Sequence, residues 1–166
     1  MKKRVIVTLT TSIIVVLAIG TMLIVSAQSS YRTMEKKATN LALQQGLVNG
    51  VTNAYVYNGS LAYITVLGID EENERKAVFV PANFKKKAIQ EVWLADGISK
   101  SEAIMQLQEQ AKVKSVLHTK LGYEEPGAVW EITYIDNKDD LNYMYYEQKN
   151  GEEWKHITVT KENDDL

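Results

Sequence analysis

Residues 97–136 read GISKSEAIMQLQEQAKVKSVLHTKLGYEEPGAVWEITYID. Within this stretch, Ser99 and Glu102 have the spacing of a capping box, in which each side chain accepts a hydrogen bond from a backbone N–H that the helix start leaves free. The apolar residues that follow recur at the spacing of one helix face as far as Ala111. Residues 113–121 continue directly as a strand-like segment. The stretch therefore predicts a capped helix that leads straight into a β-strand.

Three more strand-like segments complete this unit. They cover residues 129–135, 141–147 and 154–159, and turn signals at Glu125-Pro126-Gly127, residues 137–140 and Asn150-Gly151 separate them. In the first of them, Trp130, Ile132 and Tyr134 fall on one side of a strand with a period of two. One helix with four antiparallel strands buries one face of its sheet under the helix. The unit is therefore predicted to be α+β.

The same order of elements comes earlier in the chain. A helical pattern ends at Gly46, and strand-like segments follow at residues 51–57, 61–67, 76–80 and 88–94. Asn58-Gly59 predicts a type I′ hairpin turn. Asn58 to Ser60 also match a glycosylation signal, but the turn is sufficient to explain these residues. Residues 59–65 can be laid beside residues 127–133, and both runs lead to an Asp, Asp70 and Asp136. We therefore predict an internal duplication of two tandem helix-and-sheet units.

The N-terminal segment predicts a membrane anchor. Val5 to Tyr31 contains no charge and follows Lys2, Lys3 and Arg4. Such a run is long enough to cross the hydrocarbon core, and the cations favour a cytoplasmic N-terminus. The alternative is a cleaved signal peptide with Val25-Ser26-Ala27 at the cleavage site, although signal peptides usually have a shorter apolar region.

The predicted organisation has four parts. They are a cytoplasmic start at residues 1–4, a single transmembrane anchor at 5–27, a first extracellular domain at 28–96 and a second at 97–166. Beyond the three initial cations, 16 Lys and Arg residues face 21 Asp and Glu residues, so the outer part is acidic and is not predicted to bind nucleic acid. The chain has no Cys, which excludes thiol catalysis and a Cys-ligated metal.

The sequence offers no catalytic or metal-binding motif. His118 and His156 stand alone on separate predicted strands, and the acidic runs 70–74 and 136–140 lack the Gly of a calcium loop. No Ser lies in a nucleophile elbow or an S-x-x-K motif, and no glycine-rich phosphate loop is present. We therefore expect no catalytic residue, no cofactor and no small-molecule substrate.

Aromatic residues are concentrated on the predicted strands and suggest a binding surface. Alternation puts Tyr145 and Tyr146 on opposite faces of one strand, so at least one aromatic side chain of this strand points away from the helix. Exposed Tyr and Trp are enriched at recognition surfaces. Trp130, Tyr143 and Tyr145 are the predicted protein-binding residues, on the outer sheet faces or in the groove between the units. The alternative is that the other unit covers this face of the sheet.

Three runs of the sequence resemble the TseB-like (YpmB-type) proteins of low-GC Gram-positive bacteria. They are residues 97–103, 129–136 and 141–146, so the resemblance is most specific in the second unit, although the turn at 137–140 lacks an expected Gly. The resemblance implies a membrane anchor with two cystatin-like domains related to PepSY. It also implies a non-enzymatic helper of cell-wall elongation that works beside a penicillin-binding protein on the outer membrane face. Two alternatives stay open, namely a PepSY-like inhibitor or chaperone of an exported peptidase, and an enzyme of unknown type.

Overall fold

The computed structural model describes residues 15–16 and 29–160 and contains two helix-and-sheet units in succession. The first has helix α1 at residues 29–44 and strands β1 Gly50–Asn58, β2 Ala62–Ile69, β3 Arg75–Pro81 and β4 Gln90–Trp93. The second has helix α2 Lys100–Gln110 and strands β5 Val113–Glu124, β6 Gly127–Asp136, β7 Leu141–Glu147 and β8 Glu153–Val159. Each sheet is antiparallel, with its strands in sequence order. The predicted α+β fold of two four-stranded sheets, each with a helix, is confirmed.

The predicted anchor at residues 5–27 lies almost wholly outside the described residues. Within residues 15–16 and 29–160, no helix is long and apolar enough to cross a membrane. The anchor and the domain limits at residues 28, 96 and 166 stay predictions.

Both helices have the ends that the sequence predicts. The Ser99 hydroxyl accepts a hydrogen bond from the Glu102 N–H at 3.2 Å, and the Glu102 carboxylate accepts one from the Ser99 N–H at 2.7 Å. Helix α1 ends at residue 44, and Gly46 follows with a φ of 64°, the left-handed conformation that glycine adopts without a Cβ penalty. The Leu47 N–H then bonds to the Ala42 carbonyl at 3.0 Å. A capping box and a Schellman turn therefore define where α2 begins and α1 ends.

The turns between the second and third strand of each unit have the same hydrogen bonds. Asp70 Oδ1 accepts bonds from the N–H groups two and four residues later, at 2.9 and 2.8 Å. Asp136 Oδ1 does the same at 2.8 and 3.0 Å. The left-handed position of each turn is filled by Asn73, with φ 64°, and by Asp139, with φ 65°. Asp139 thus occupies a position at which a Gly was expected.

These matching turns support the duplication and correct its register. Asp70 and Asp136 are equivalent, which sets a spacing of 66 residues between the two units. The sequence comparison that placed Gly59 opposite Gly127 is therefore wrong by two residues. That error keeps inward-facing residues opposite inward-facing residues, because a shift of two leaves the side-chain alternation of a strand unchanged.

The hairpin at Asn58-Gly59 exists, but the predicted type I′ turn is wrong. Asn58 pairs with Ala62 across the hairpin, so the loop has three residues, and neither Asn58 nor Gly59 has a positive φ. Gly59 serves a close approach instead, because a Cβ at this position would overlap a carboxylate oxygen of Glu124. The turn is therefore shaped by a contact with the second unit.

The second unit packs with the edge of β5 against the first sheet. The first core lies between α1 and its sheet, and its buried residues are Ala38, Ala42, Val48, Val56, Ile64, Val66, Val78 and Val80. The second core lies under α2 and extends across the junction to Tyr63, Ala77 and Phe79 of the first unit. Residues on both sides of β2 and β3 are consequently buried. The prediction that the outer face of the first sheet is a contact surface is wrong, since the second unit covers it.

Side-chain hydroxyls of the first sheet satisfy both backbone groups of Leu121, which lies on the edge of β5 at this junction. The Tyr55 hydroxyl donates to the Leu121 carbonyl at 3.1 Å and accepts from the Leu121 N–H at 2.9 Å. The Thr65 hydroxyl donates to the same carbonyl at 2.9 Å. Burial raises the pKa of Tyr55 to about 12, so this hydroxyl stays protonated at physiological pH. The backbone of this edge strand is thus hydrogen-bonded to the neighbouring unit at Leu121.

We predict that Tyr55→Phe destabilises the protein. The change leaves the buried Leu121 N–H without its acceptor and costs about 1–3 kcal/mol of unfolding free energy. Chemical denaturation measures the loss. Tyr31→Phe is the matched control, because Tyr31 is exposed on α1 and its substitution should change the free energy by less than about 0.5 kcal/mol. Equal effects of the two substitutions would contradict the junction described here.

Candidate protein-binding surface

The three predicted contact residues lie on two different faces of the second sheet. Trp130 is 6% exposed and belongs to the core under α2, where its indole N–H donates to the Ile98 carbonyl at 2.8 Å. Tyr143 and Tyr145 are half-buried and point to the opposite side. The structure therefore brings Tyr143 and Tyr145 together and separates Trp130 from them. A side chain as buried as Trp130 offers little area to a partner, so only the two tyrosines are kept as candidates.

The face of the second sheet that points away from α2 is called here the outer face. Its central part consists of two rows of directly paired residues from three strands. One row is Glu131, Tyr145 and Lys155, and the other is Thr133, Tyr143 and Ile157. Each row thus places a tyrosine between a polar side chain of β6 and a longer side chain of β8.

Trp154 joins the outer face beside Tyr145. The two rings lie 5.8 Å apart between centroids and are almost perpendicular, a favourable arrangement for aromatic pairs. The Lys155 ammonium lies 5.8 Å from the Tyr145 ring and 5.7 Å from the Trp154 ring. Trp154 was not among the predicted contact residues, and strict alternation along β8 would place it on the side of His156. A register shift opposite Tyr145 and Tyr146 turns it to the outer face, and the sequence carries no signal for it.

The outer face carries both charge signs around its aromatic residues. Burial and then the neighbouring Glu131 carboxylate raise the pKa of Tyr145 above its ordinary value, which keeps its hydroxyl neutral. Two cations share the row with Glu131, Lys120 on β5 and Lys155 on β8. Neutral hydroxyls, aromatic rings and charges of both signs are groups that recognise a protein surface by packing and hydrogen bonding.

Each of the two histidines has hydrogen-bond partners within the second sheet. His118 Nε2 lies 2.9 Å from the Thr133 hydroxyl, and His156 Nε2 lies 3.2 Å from both the Tyr134 hydroxyl and the Asn142 side-chain oxygen. The His118 contact joins the neighbouring strands β5 and β6, and His156 on β8 reaches Asn142 on β7 and Tyr134 on β6. Within residues 15–16 and 29–160, no three His, Asp or Glu side chains are grouped so that they could hold a metal ion.

The fold and this surface together define the class of protein. The chain is a tandem α+β protein in which one sheet is enclosed between its helix and the next unit, while the other sheet keeps one mixed aromatic face open. The three predicted functional residues form no catalytic constellation with a nucleophile or a base in this geometry.

Comparison with known proteins shows a similarity to one family. Residues 37–81 match the family described as the cell wall elongation regulator TseB-like domain. The chain is 28% identical over 123 residues to the probable cell wall elongation regulator TseB of Bacillus subtilis (strain 168), a match that covers 74% of this chain and 71% of that protein. The solved structure of the YpmB protein from Bacillus subtilis matches with a TM-score of 0.68 and 26% identity, over 75% of this chain and 96% of that one.

The chain carries a TseB-like domain, and the resemblance to the TseB-like family is confirmed. The match to the family domain runs from α1 to the end of β3, which lies in the first unit. The residue patterns that resemble the family are most specific in the second unit. The first unit therefore carries family features that the residue patterns did not reveal.

We predict that Trp130→Ala lowers the unfolding free energy much more than Tyr143→Ala, because Trp130 lies in the core and Tyr143 on the outer face. Trp130→Ala opens a cavity in the second core and lowers the unfolding free energy by about 3–5 kcal/mol. Tyr143→Ala removes a half-buried side chain from an open sheet face and costs less than about 1 kcal/mol. Denaturant unfolding of both variants checks the pair. A larger loss for Tyr143→Ala would show that the outer face is covered within the molecule.

Proposed function

We propose that this chain is a single-pass membrane protein whose extracellular units regulate bacterial cell-wall elongation by binding a component of the elongation machinery. A penicillin-binding protein on the outer membrane face is the first candidate for that component. The single observation that carries the proposal is the similarity to a relative named as a probable cell wall elongation regulator. In this role the chain is a binding and regulatory protein and not an enzyme.

The sequence supports the proposed location. The uncharged run from Val5 to Tyr31 follows three cations, the pattern of an anchor with a cytoplasmic N-terminus. Helix α1 is present from residue 29, only two residues after the proposed anchor ends. A link this short holds the first unit close to the membrane surface. The second unit packs against the first, so both units would be presented near the membrane-bound steps of wall synthesis.

The outer face supports a binding role for the second unit. Tyr143, Tyr145 and Trp154 are held in place by their own sheet, so a partner would meet side chains that have little conformational freedom left to lose. The first sheet has no comparable surface, because α1 and the second unit cover its two faces. The outer face is therefore the surface that we propose for the elongation partner.

We predict that a photo-crosslinker at position 143 captures an elongation component in cells. The full-length chain carries p-benzoylphenylalanine in place of Tyr143, and the crosslinked proteins are identified by mass spectrometry. The matched control carries the same group in place of Met105, which is exposed on α2 on the opposite side of the second sheet. We expect a penicillin-binding protein or another elongation component from position 143 and not from position 105.

The other outcomes are equally informative. Capture of the elongation component from position 105 alone would keep the function and overturn the choice of the outer face. Capture of a secreted peptidase would overturn the regulatory role and favour the inhibitor or chaperone alternative. Capture of neither class from either position would contradict the proposal.

A further inference from the structure

A pocket lies where the first hairpin meets the end of β5. Its volume is about 340 Å³, and it is lined by Ser60, Leu61, Tyr63, Tyr123, Glu124 and Glu125. Three of these residues come from the first unit and three from the second, so the pocket exists only because the two units are packed together. None of the lining residues belongs to the two tyrosine rows of the outer face.

A buried carboxylate without a cation forms one wall of this pocket. Glu124 is 7% exposed, and its Oε1 accepts hydrogen bonds from the Tyr57 hydroxyl at 3.0 Å and from the Ser60 N–H at 3.1 Å. Its Oε2 has only the longer branch of the Ser60 bond, at 3.2 Å. The ion pairs found within residues 15–16 and 29–160 are Lys76–Glu91 and Lys114–Asp139, and neither involves Glu124. Acidic side chains are almost never this buried unless they are paired.

The surrounding chain is built to keep this carboxylate in place. Gly59 allows the approach, because any Cβ there would overlap Glu124 Oε1. Glu131 adds a second negative charge nearby, and after burial the two carboxylates are the next causes that raise the pKa of Tyr57 above its ordinary value. Lys120 lies directly opposite Glu131 on the neighbouring strand, so the carboxylate that has no cation beside it here is that of Glu124.

The other walls of the pocket are aromatic and apolar. The Tyr123 ring lies 5.5 Å from the Tyr63 ring and 5.3 Å from the Phe79 ring, between centroids. Leu61 stands at the rim and is 66% exposed. A carboxylate beside aromatic faces is the chemistry that binds an ammonium or guanidinium group, through a charge-assisted hydrogen bond and cation–π attraction.

We propose that this pocket binds a lysine or arginine side chain of an extracellular polypeptide. Glu124 accepts the hydrogen bonds of the cation, the tyrosines pack against its aliphatic stem, and Leu61 packs against a neighbouring apolar residue of the same polypeptide. We infer a cationic occupant because two carboxylates and no cation line the pocket. We infer a polypeptide because a single side chain in the pocket would leave the exposed Leu61 uncovered. The proposal rests on the protein-binding function proposed above.

The test is an NMR titration of the full chain in detergent micelles with small probes. Nα-acetyl-lysine amide and Nα-acetyl-arginine amide carry the cation, and Nα-acetyl-norleucine amide is the neutral match for lysine. We expect both cationic probes to bind roughly tenfold more tightly than the neutral probe and to shift the Ser60 and Leu61 amide signals. Glu124→Gln keeps an oxygen acceptor for Tyr57 and should remove this difference. Glu109→Gln on α2 is the control, because it makes the same change at an exposed site and should leave the difference between cationic and neutral probes intact.

A second arm tests the polypeptide. Nα-acetyl-lysyl-leucine amide should bind more tightly than Nα-acetyl-lysine amide, and Leu61→Ser should remove only this gain. No gain from the added leucine would overturn the polypeptide as occupant. Equal binding of the lysine and norleucine probes to the unmodified chain would overturn the cation site, whether or not Glu124→Gln folds.

The probes also keep this inference distinguishable from the proposed function. They report on the pocket without any elongation component present. Lysine binding that depends on Glu124, together with failed crosslinking from position 143, would leave the pocket standing and remove the proposed role. Successful crosslinking without selective lysine binding would support the proposed role and remove the pocket as a cation site.

Discussion

The edge of β5, where backbone groups need partners outside their own sheet, is the constraint on which the rest of the molecule depends. An edge strand carries backbone N–H and C=O groups that its own sheet does not satisfy, and burying such groups without partners is costly. The Leu121 groups are satisfied by the Tyr55 and Thr65 hydroxyls, both from the first sheet. The second unit is therefore held against the first by directional bonds as well as by the shared apolar core. The close packing of the Tyr57 ring against Gly122, where a Cβ would overlap the ring, belongs to the same contact.

This packing gives two similar units different roles. The first sheet is enclosed on both sides, which suits a rigid support for the second unit. The second sheet contributes its edge to the junction, and the part of its outer face along β7 and β8 stays open, with Tyr143 and Tyr145 on it. The junction also creates the pocket around Glu124, which neither unit could form alone. Duplication alone would give two equivalent surfaces, whereas edge-on packing leaves one open face and one shared pocket.

Local sequence signals predicted local structure, and the errors came from contacts between distant residues. The capping box at Ser99, the end of α1 at Gly46 and the strands of both units follow from nearby residue patterns and agree with the structure. The turn at Gly59 was mistaken because its conformation depends on Glu124, which lies 65 residues further along the chain. Trp154 was missed because a register shift between β7 and β8 turns it over. The coverage of the first sheet has the same kind of cause, since no pattern within one unit states where the other unit packs.

Hydrogen exchange of the Leu121 amide is the most direct measurement of the edge-on junction. This N–H points away from its own sheet and is protected only by the Tyr55 hydroxyl of the first unit. The account predicts that it exchanges as slowly as the amide of Ile132, which lies in the buried central strand β6. Exchange of Leu121 at the rate of a solvent-exposed amide, with Ile132 still protected, would show that the units separate and would contradict the account.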